Sequence, residues 1–207
     1  MNNNIIIYTK MDWTEFFSGS AAGAIVTEVG RYLREKSKRK VDISQNARDM
    51  AEITNSLFPL ILEETLANRV VIYRATNSAG VIAPGKTLKV TAIYEDSREV
   101  NRLLEDIQDW KADSHYYQLF SNILTEGCTK IVTSELPVDC KLNTLNKAHL
   151  IKYSEIYHLT TTPDNAKVFY ISIDSTIVDN FDTQSKYHIE IAINKLRNIF
   201  EKHKHHL

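Results

Sequence analysis

The apolar rhythm of the chain changes near Arg69. Upstream, Ile43, Ala47, Met50, Ile53, Leu57, Leu60, Ile61 and Leu66 recur at helical spacing and form one broad stripe. Pro59 lies inside that stripe and predicts a kink or a split near Phe58, with the element ending at Asn68. From Arg69 onward the beat shortens to two residues or becomes a continuous apolar run. RVVIYRAT (69–76) and TLKVTAIYE (87–95) are rich in β-branched and aromatic residues, as strands are. A helical period cannot serve as a strand, nor the reverse. An all-helical body is therefore excluded, and a sheet must form the heart of the molecule.

The remaining elements follow from the same reading. Residues 77–85, NSAGVIAPG, are punctuated as a loop, so the first two strands make an antiparallel hairpin with a long connection. Residues 99–109 and 115–124 read as helices, the second stopping at Gly127. Residues 129–134 read as a short strand, and 137–148 as irregular or briefly helical. Strands over 154–161 and 167–174 are joined by the turn residues Thr162, Pro163, Asp164 and Asn165. A final helix covers 183–204, with Ile189, Ala192, Ile193, Leu196, Ile199 and Phe200 on one face. The expected architecture is α+β: an antiparallel five-stranded sheet flanked by helices, with an N-terminal helical extension.

That extension divides the chain into residues 1–40 and a domain over 41–207. Residues 12–37 carry a helical pattern, N-capped by Asp12 with Glu15 three residues on. Gly19 and Gly23 share a face and would admit another backbone closely, which makes Trp13, Phe16, Gly19, Gly23 and Val26 the candidate contact residues. The charge-free run, 16–27, is shorter than the ~20 residues a membrane span needs, and Glu28 and Arg31 interrupt it. Packing against protein is the preferred reading. Residues 31–40, RYLREKSKRK, hold six basic side chains against Glu35, whereas the whole chain has a net charge of -1. Arg34, Lys36, Lys38, Arg39 and Lys40 are thus the candidate contacts to a membrane surface or to phosphate. No aromatic residues interleave with them as single-strand binding would require, so no specific nucleic-acid partner is expected.

Chemistry-bearing motifs are sparse. Two cysteines, Cys128 and Cys140, make neither a metal spacing nor a disulfide framework, and the start of the chain has no signal-peptide pattern. These features imply a reducing, cytoplasmic setting. Cys128, between a helix-ending glycine and a strand, reads as a buried structural thiol. GVIAPGKT (80–87) matches the literal spacing of a phosphate-binding loop. Such a loop opens a helix, whereas LKVTAIYE is strand-like, and Pro84 removes an N–H from the cradle. Helical structure over 88–95 would reverse that judgement. His203, His205 and His206 read as a frayed helix end rather than a metal site. His158 and Thr160 fit one half of a paired phosphoesterase motif, but His188 is followed by Glu190 where a hydroxyl is needed. Glu63–Glu64, Glu95–Asp96 and Asp106 with Asp109 read as solvated faces or strand ends. Catalysis, cofactor and metal are not expected.

The pair RVVIYRAT and LKVTAIYE, the closing strands SEIYHLTT and KVFYISID, and a last helix after DNFDTQ together resemble the GAF domain family, relatives of PAS domains. The resemblance covers roughly residues 43–204 and rests on element order. NSAGVIAPGKTLKVTAIYED with SEIYHL also resembles uncharacterised phage and bacterial GAF-like proteins that carry an N-terminal hydrophobic segment with a basic flank. The resemblance implies either a small ligand held over the sheet (a cyclic nucleotide, tetrapyrrole or metabolite) or a dimerisation module. No NKFDE-like motif is found, neither cysteine sits in a bilin-attachment context, and no output domain is expected after Leu207. The expected function is therefore non-catalytic self-association or partner binding, as a homo-oligomer or with another protein. The alternative is a ligand sensor whose pocket is walled by the sheet and helix 115–124, with Arg74, Asn77, Tyr117 and His158 as polar contacts.

Overall fold

The computed structural model describes residues 43–77, 82, 86–98 and 103–207. The proposed contact residues Trp13, Phe16, Gly19, Gly23 and Val26 lie outside the described residues, as does the basic block from Arg34 to Lys40.

Helix α1 spans Ile43–Glu52 and α2 spans Phe58–Glu64, and a π-helical turn, Ile53–Leu57, joins them. The break follows from Pro59. Proline has no N–H to continue the ladder, so the helix widens just before it, and the Phe58 N–H reaches back to the Ile53 carbonyl. The expected split near Phe58 is thus realised by a widened turn rather than by a sharp bend.

Six antiparallel strands form one sheet: β1 (Arg69–Asn77), β2 (Leu88–Ser97), β3 (Trp110–Lys111), β4 (Cys128–Val132), β5 (Tyr153–Thr161) and β6 (Lys167–Ser175). Their spatial order is β3-β2-β1-β6-β5-β4. Central strands β1 and β6 are buried on both faces, which explains their continuous apolar runs. Alternate residues feed two cores. Val70, Ile72, Phe169, Ile171 and Ile173 pack with the π turn, α2 and the C-terminal helix α5 (Thr183–His203). Val71, Tyr73, Val168 and Tyr170 pack with Phe120 and Ile123 of α3 (Ser114–Glu126) on the other face. Leu142 and Leu145 of α4 (Lys141–Ala148) cover part of that second core. Asp113 and Asp182 N-cap α3 and α5, and Gly127 closes α3 in the left-handed conformation at φ 76°.

Two expectations are corrected. The sheet has six strands rather than five, because Trp110 and Lys111 pair with Val90 and Lys89. The helix expected over 99–109 is not formed: the described part is a single turn. Leu103 and Ile107 are both buried, so their helical spacing is satisfied by that one turn. The Ile107 carbonyl then accepts from the Ala92 N–H and draws the chain into sheet pairing. The Glu95 carboxylate, expected to be solvated, accepts the N–H groups of Leu103 and Leu104 at 2.7 Å each and anchors the turn.

Candidate functional site

The sheet has two covered faces, and each offers a concavity. Between the sheet, α3 and α4 the second core leaves a cavity of about 30 Å³, room for about one or two waters. Aromatic side chains fill the rest. Tyr73 stacks on Tyr170 with centroids 5.3 Å apart, Phe120 meets Tyr170 edge-on at 6.1 Å, and Trp110 meets Tyr116 edge-on at 4.9 Å. The Tyr116 and Tyr170 hydroxyls are 2.6 Å apart and bond to each other. Burial pushes the phenols of Tyr73, Tyr116 and Tyr170 well above their ordinary range, so they remain neutral. One end of the cavity is polar, lined by Asn146, Ser154, Ser172 and Asp174. Asp174 accepts from Arg69 Nε at 3.0 Å and from the Ser172 hydroxyl at 2.5 Å, all three being buried.

On the opposite face an open groove of about 430 Å³ runs between α1, the β1–β2 pair and the end of α5. Its floor is apolar: Ile53, Ile93, Phe169, Ile199 and Phe200. At its rim Asp49 accepts from Lys202 at 3.0 Å and from His203. Burial pulls the Asp49 pKa upward, but hydrogen bonds from His203, Lys202 and Gln45 outweigh it and hold the carboxyl at about 2. His203 is therefore docked against α1, contrary to the frayed end expected of the C-terminal histidines.

The four proposed polar contacts are not gathered into one pocket. Arg74 lines the groove on the α1/α5 face, away from α3. Tyr117 lies at the base of the hairpin, accepting from the Leu88 N–H at 2.6 Å and donating to the Lys86 carbonyl at 2.7 Å. Asn77 ends β1 and is buried. His158 sits at a β5 bulge, where Nε2 is 2.9 Å from the Thr161 hydroxyl. Burial, then the Arg197 charge, lowers its pKa and favours the neutral ring.

Other chemistry-bearing residues are engaged structurally. His149 bonds Asp106 at 2.8 Å. Glu155 is buried in β5 and accepts from Tyr153 at 2.7 Å and from Tyr157, with Lys130 at 3.8 Å. Cys128 is exposed and Cys140 buried, which corrects the expectation that Cys128 is an interior thiol. Residues 88–97 form strand β2, so the segment ending at Lys86 and Thr87 opens no helix, and the phosphate-loop reading fails. Among the described residues no group of three or more His, Cys, Asp and Glu side chains is placed to hold a metal ion, and no helix is long and apolar enough to cross a membrane.

No protein-family model matches the chain, and no curated protein matches it. Solved structures do. The GAF domain region of a protein from Geobacter sulfurreducens PCA superposes with a TM-score of 0.52 at 16% identity, over 78% of this chain and 99% of that one. A red/green cyanobacteriochrome, NpR6012g4, in its red-light-absorbing state gives 0.52 at 14% identity, over 75% and 96%. The blue-light-absorbing form of the PixJ GAF domain of Thermosynechococcus elongatus gives 0.51 at 14%, over 79% and 91%. The six-stranded antiparallel sheet between two helical layers is thus a GAF-like fold.

Proposed function

We propose that this protein is a non-catalytic GAF-like module that works by self-association or by binding a protein partner, with residues 12–37 as its contact element. The observation that carries this reading is the filled face of the sheet. The resemblance places a GAF ligand over the sheet, yet the cavity enclosed there by α3 and α4 is only about 30 Å³, whereas small-molecule sites take ~300–1,000 Å³; the other opening on that side, about 540 Å³ between α3 and β4, is an open surface groove. Tyr73, Tyr116, Phe120 and Tyr170 occupy that space themselves. Three titratable side chains near the two faces are bonded to neighbours that hold them in place: His149 to Asp106, His203 to Asp49, Glu155 to two tyrosines. That supports a binding role over a catalytic one. A buried-ligand sensor would need this aromatic cluster to open.

The contact element rests on sequence. Gly19 and Gly23 supply one small-residue face within a charge-free run. The basic residues that follow, Arg34, Lys36, Lys38, Arg39 and Lys40, favour an anionic surface beside that contact, at ~1 kcal/mol for each near such a membrane. The test is the mass of the full chain in solution by light scattering, for the natural sequence and for G19L/G23L. The expected result is an oligomer that the double substitution dissociates. A monomer in both cases removes the support for self-association. Co-sedimentation with anionic vesicles, lost on replacing the five basic residues by glutamine, tests the surface contact separately.

A further inference from the structure

The groove on the α1/α5 face contains a cation, Arg74, that makes no ion pair among the described residues. Arg74 stands on β1 directly beside Phe169 of β6. Its Nε is buried and has no hydrogen-bond partner among the described residues. Burying a guanidinium nitrogen without an acceptor is unfavourable, and a fold keeps such an arrangement only where something compensates it. The neighbouring acid cannot supply the compensation: Asp49 is already matched by His203 and Lys202. Leu207 also lines the groove, and its carboxyl oxygen accepts from Lys167. The groove therefore presents the Arg74 cation, with no acceptor for its Nε among the described residues, above an apolar floor built by Ile53, Ile93, Phe169 and Phe200.

We infer that this groove binds an amphiphilic monocarboxylate, a medium-chain fatty acid or a molecule of that shape. The planar guanidinium fork matches a carboxylate with two parallel N–H···O bonds, and these are stronger than neutral hydrogen bonds. A single cation suits a monoanion better than a phosphate dianion. The apolar part of the ligand would lie along Ile93 and Phe200, and the groove volume of about 430 Å³ is that of an ordinary small-molecule site. This site lies on the face of the sheet opposite the filled cavity and goes beyond the self-association proposed above.

Calorimetric titration of the full chain with octanoate, octan-1-ol and octyl phosphate tests the assignment. Octanoate is expected to bind, and Arg74→Gln to weaken it tenfold or more. Octan-1-ol is expected to bind the natural protein no better than octanoate binds the variant. Ile199→Trp, which fills the groove from α5 and leaves Arg74 in place, is expected to abolish binding with an unchanged far-UV circular dichroism spectrum. Absence of octanoate binding overturns the inference. So does equal affinity in Arg74→Gln, retained binding in Ile199→Trp, or a preference for octyl phosphate.

Discussion

The paired hydroxyls of Tyr116 and Tyr170 provide a sharp measure of whether the α3 face of the sheet is closed. The two oxygens are 2.6 Å apart, and the residues are 5% and 0% exposed. Each hydroxyl bonds the other, across 54 residues of sequence. Tyr116→Phe therefore removes one bond and leaves the Tyr170 hydroxyl buried without a partner, at a cost of about 1–3 kcal/mol. Tyr170→Phe does the same to Tyr116. The double substitution leaves no orphaned group and keeps both ring shapes, so it should cost less than either single change. Urea unfolding followed by far-UV circular dichroism reads all four proteins on one scale. The refuting result is a set of small, additive losses within about 0.5 kcal/mol of the natural protein. That pattern would mean that water already reaches both hydroxyls, and that the cavity beside them is open rather than closed.

Three further outcomes follow from other residues. Burial raises the phenols of Tyr73, Tyr116, Tyr153, Tyr157 and Tyr170, and Glu155 adds to the effect at Tyr153 and Tyr157. A raised folded-state pKa leaves stability intact below the unfolded value of about 10 and erodes it above. Ultraviolet titration should show these five of the ten tyrosines ionising only as the protein unfolds; smooth titration of all ten in the folded protein would contradict this. Asp49 is held down from 3.8 to about 2, so its contribution is present above pH ~4 and lost as pH falls toward ~2, up to about 2 kcal/mol in all. Asp49→Asn should flatten acid unfolding across that window; an unchanged profile would sink the pairing with His203 and Lys202. Asp113 accepts from Tyr116 N at 2.9 Å and from Lys141 N at 2.8 Å, so one carboxylate serves the starts of both α3 and α4. Asp113→Ala should cost about 1–2 kcal/mol and Asp113→Asn less, by urea unfolding; equal, negligible losses would show that neither helix start depends on it.

Periodicity and punctuation carried most of the secondary structure. The hairpin strands, β5, β6, α3 and α5 are local patterns, and Gly127 and the Thr162–Asn165 turn marked their ends. The one-turn segment at 103–107 was less legible, because Leu103 and Ile107 have the same spacing in a single turn as in a long helix. What ended it was a carbonyl bond to Ala92 and a carboxylate from Glu95, neither of which leaves a sequence signal.

By itself, the sequence determined that helix gives way to sheet at Arg69, that Pro59 breaks the leading helix, and that Thr162–Asn165 turn the chain between β5 and β6. Each of these depends on neighbours only a few residues away. Only the tertiary structure decided what covers each face. It placed α5 and the π turn over Val70 and Ile72, set His203 against Asp49 from 154 residues away, and closed the α3 face with four aromatic rings. Those outcomes depend on which distant side chains fill a shared volume, and a one-dimensional pattern does not encode that volume.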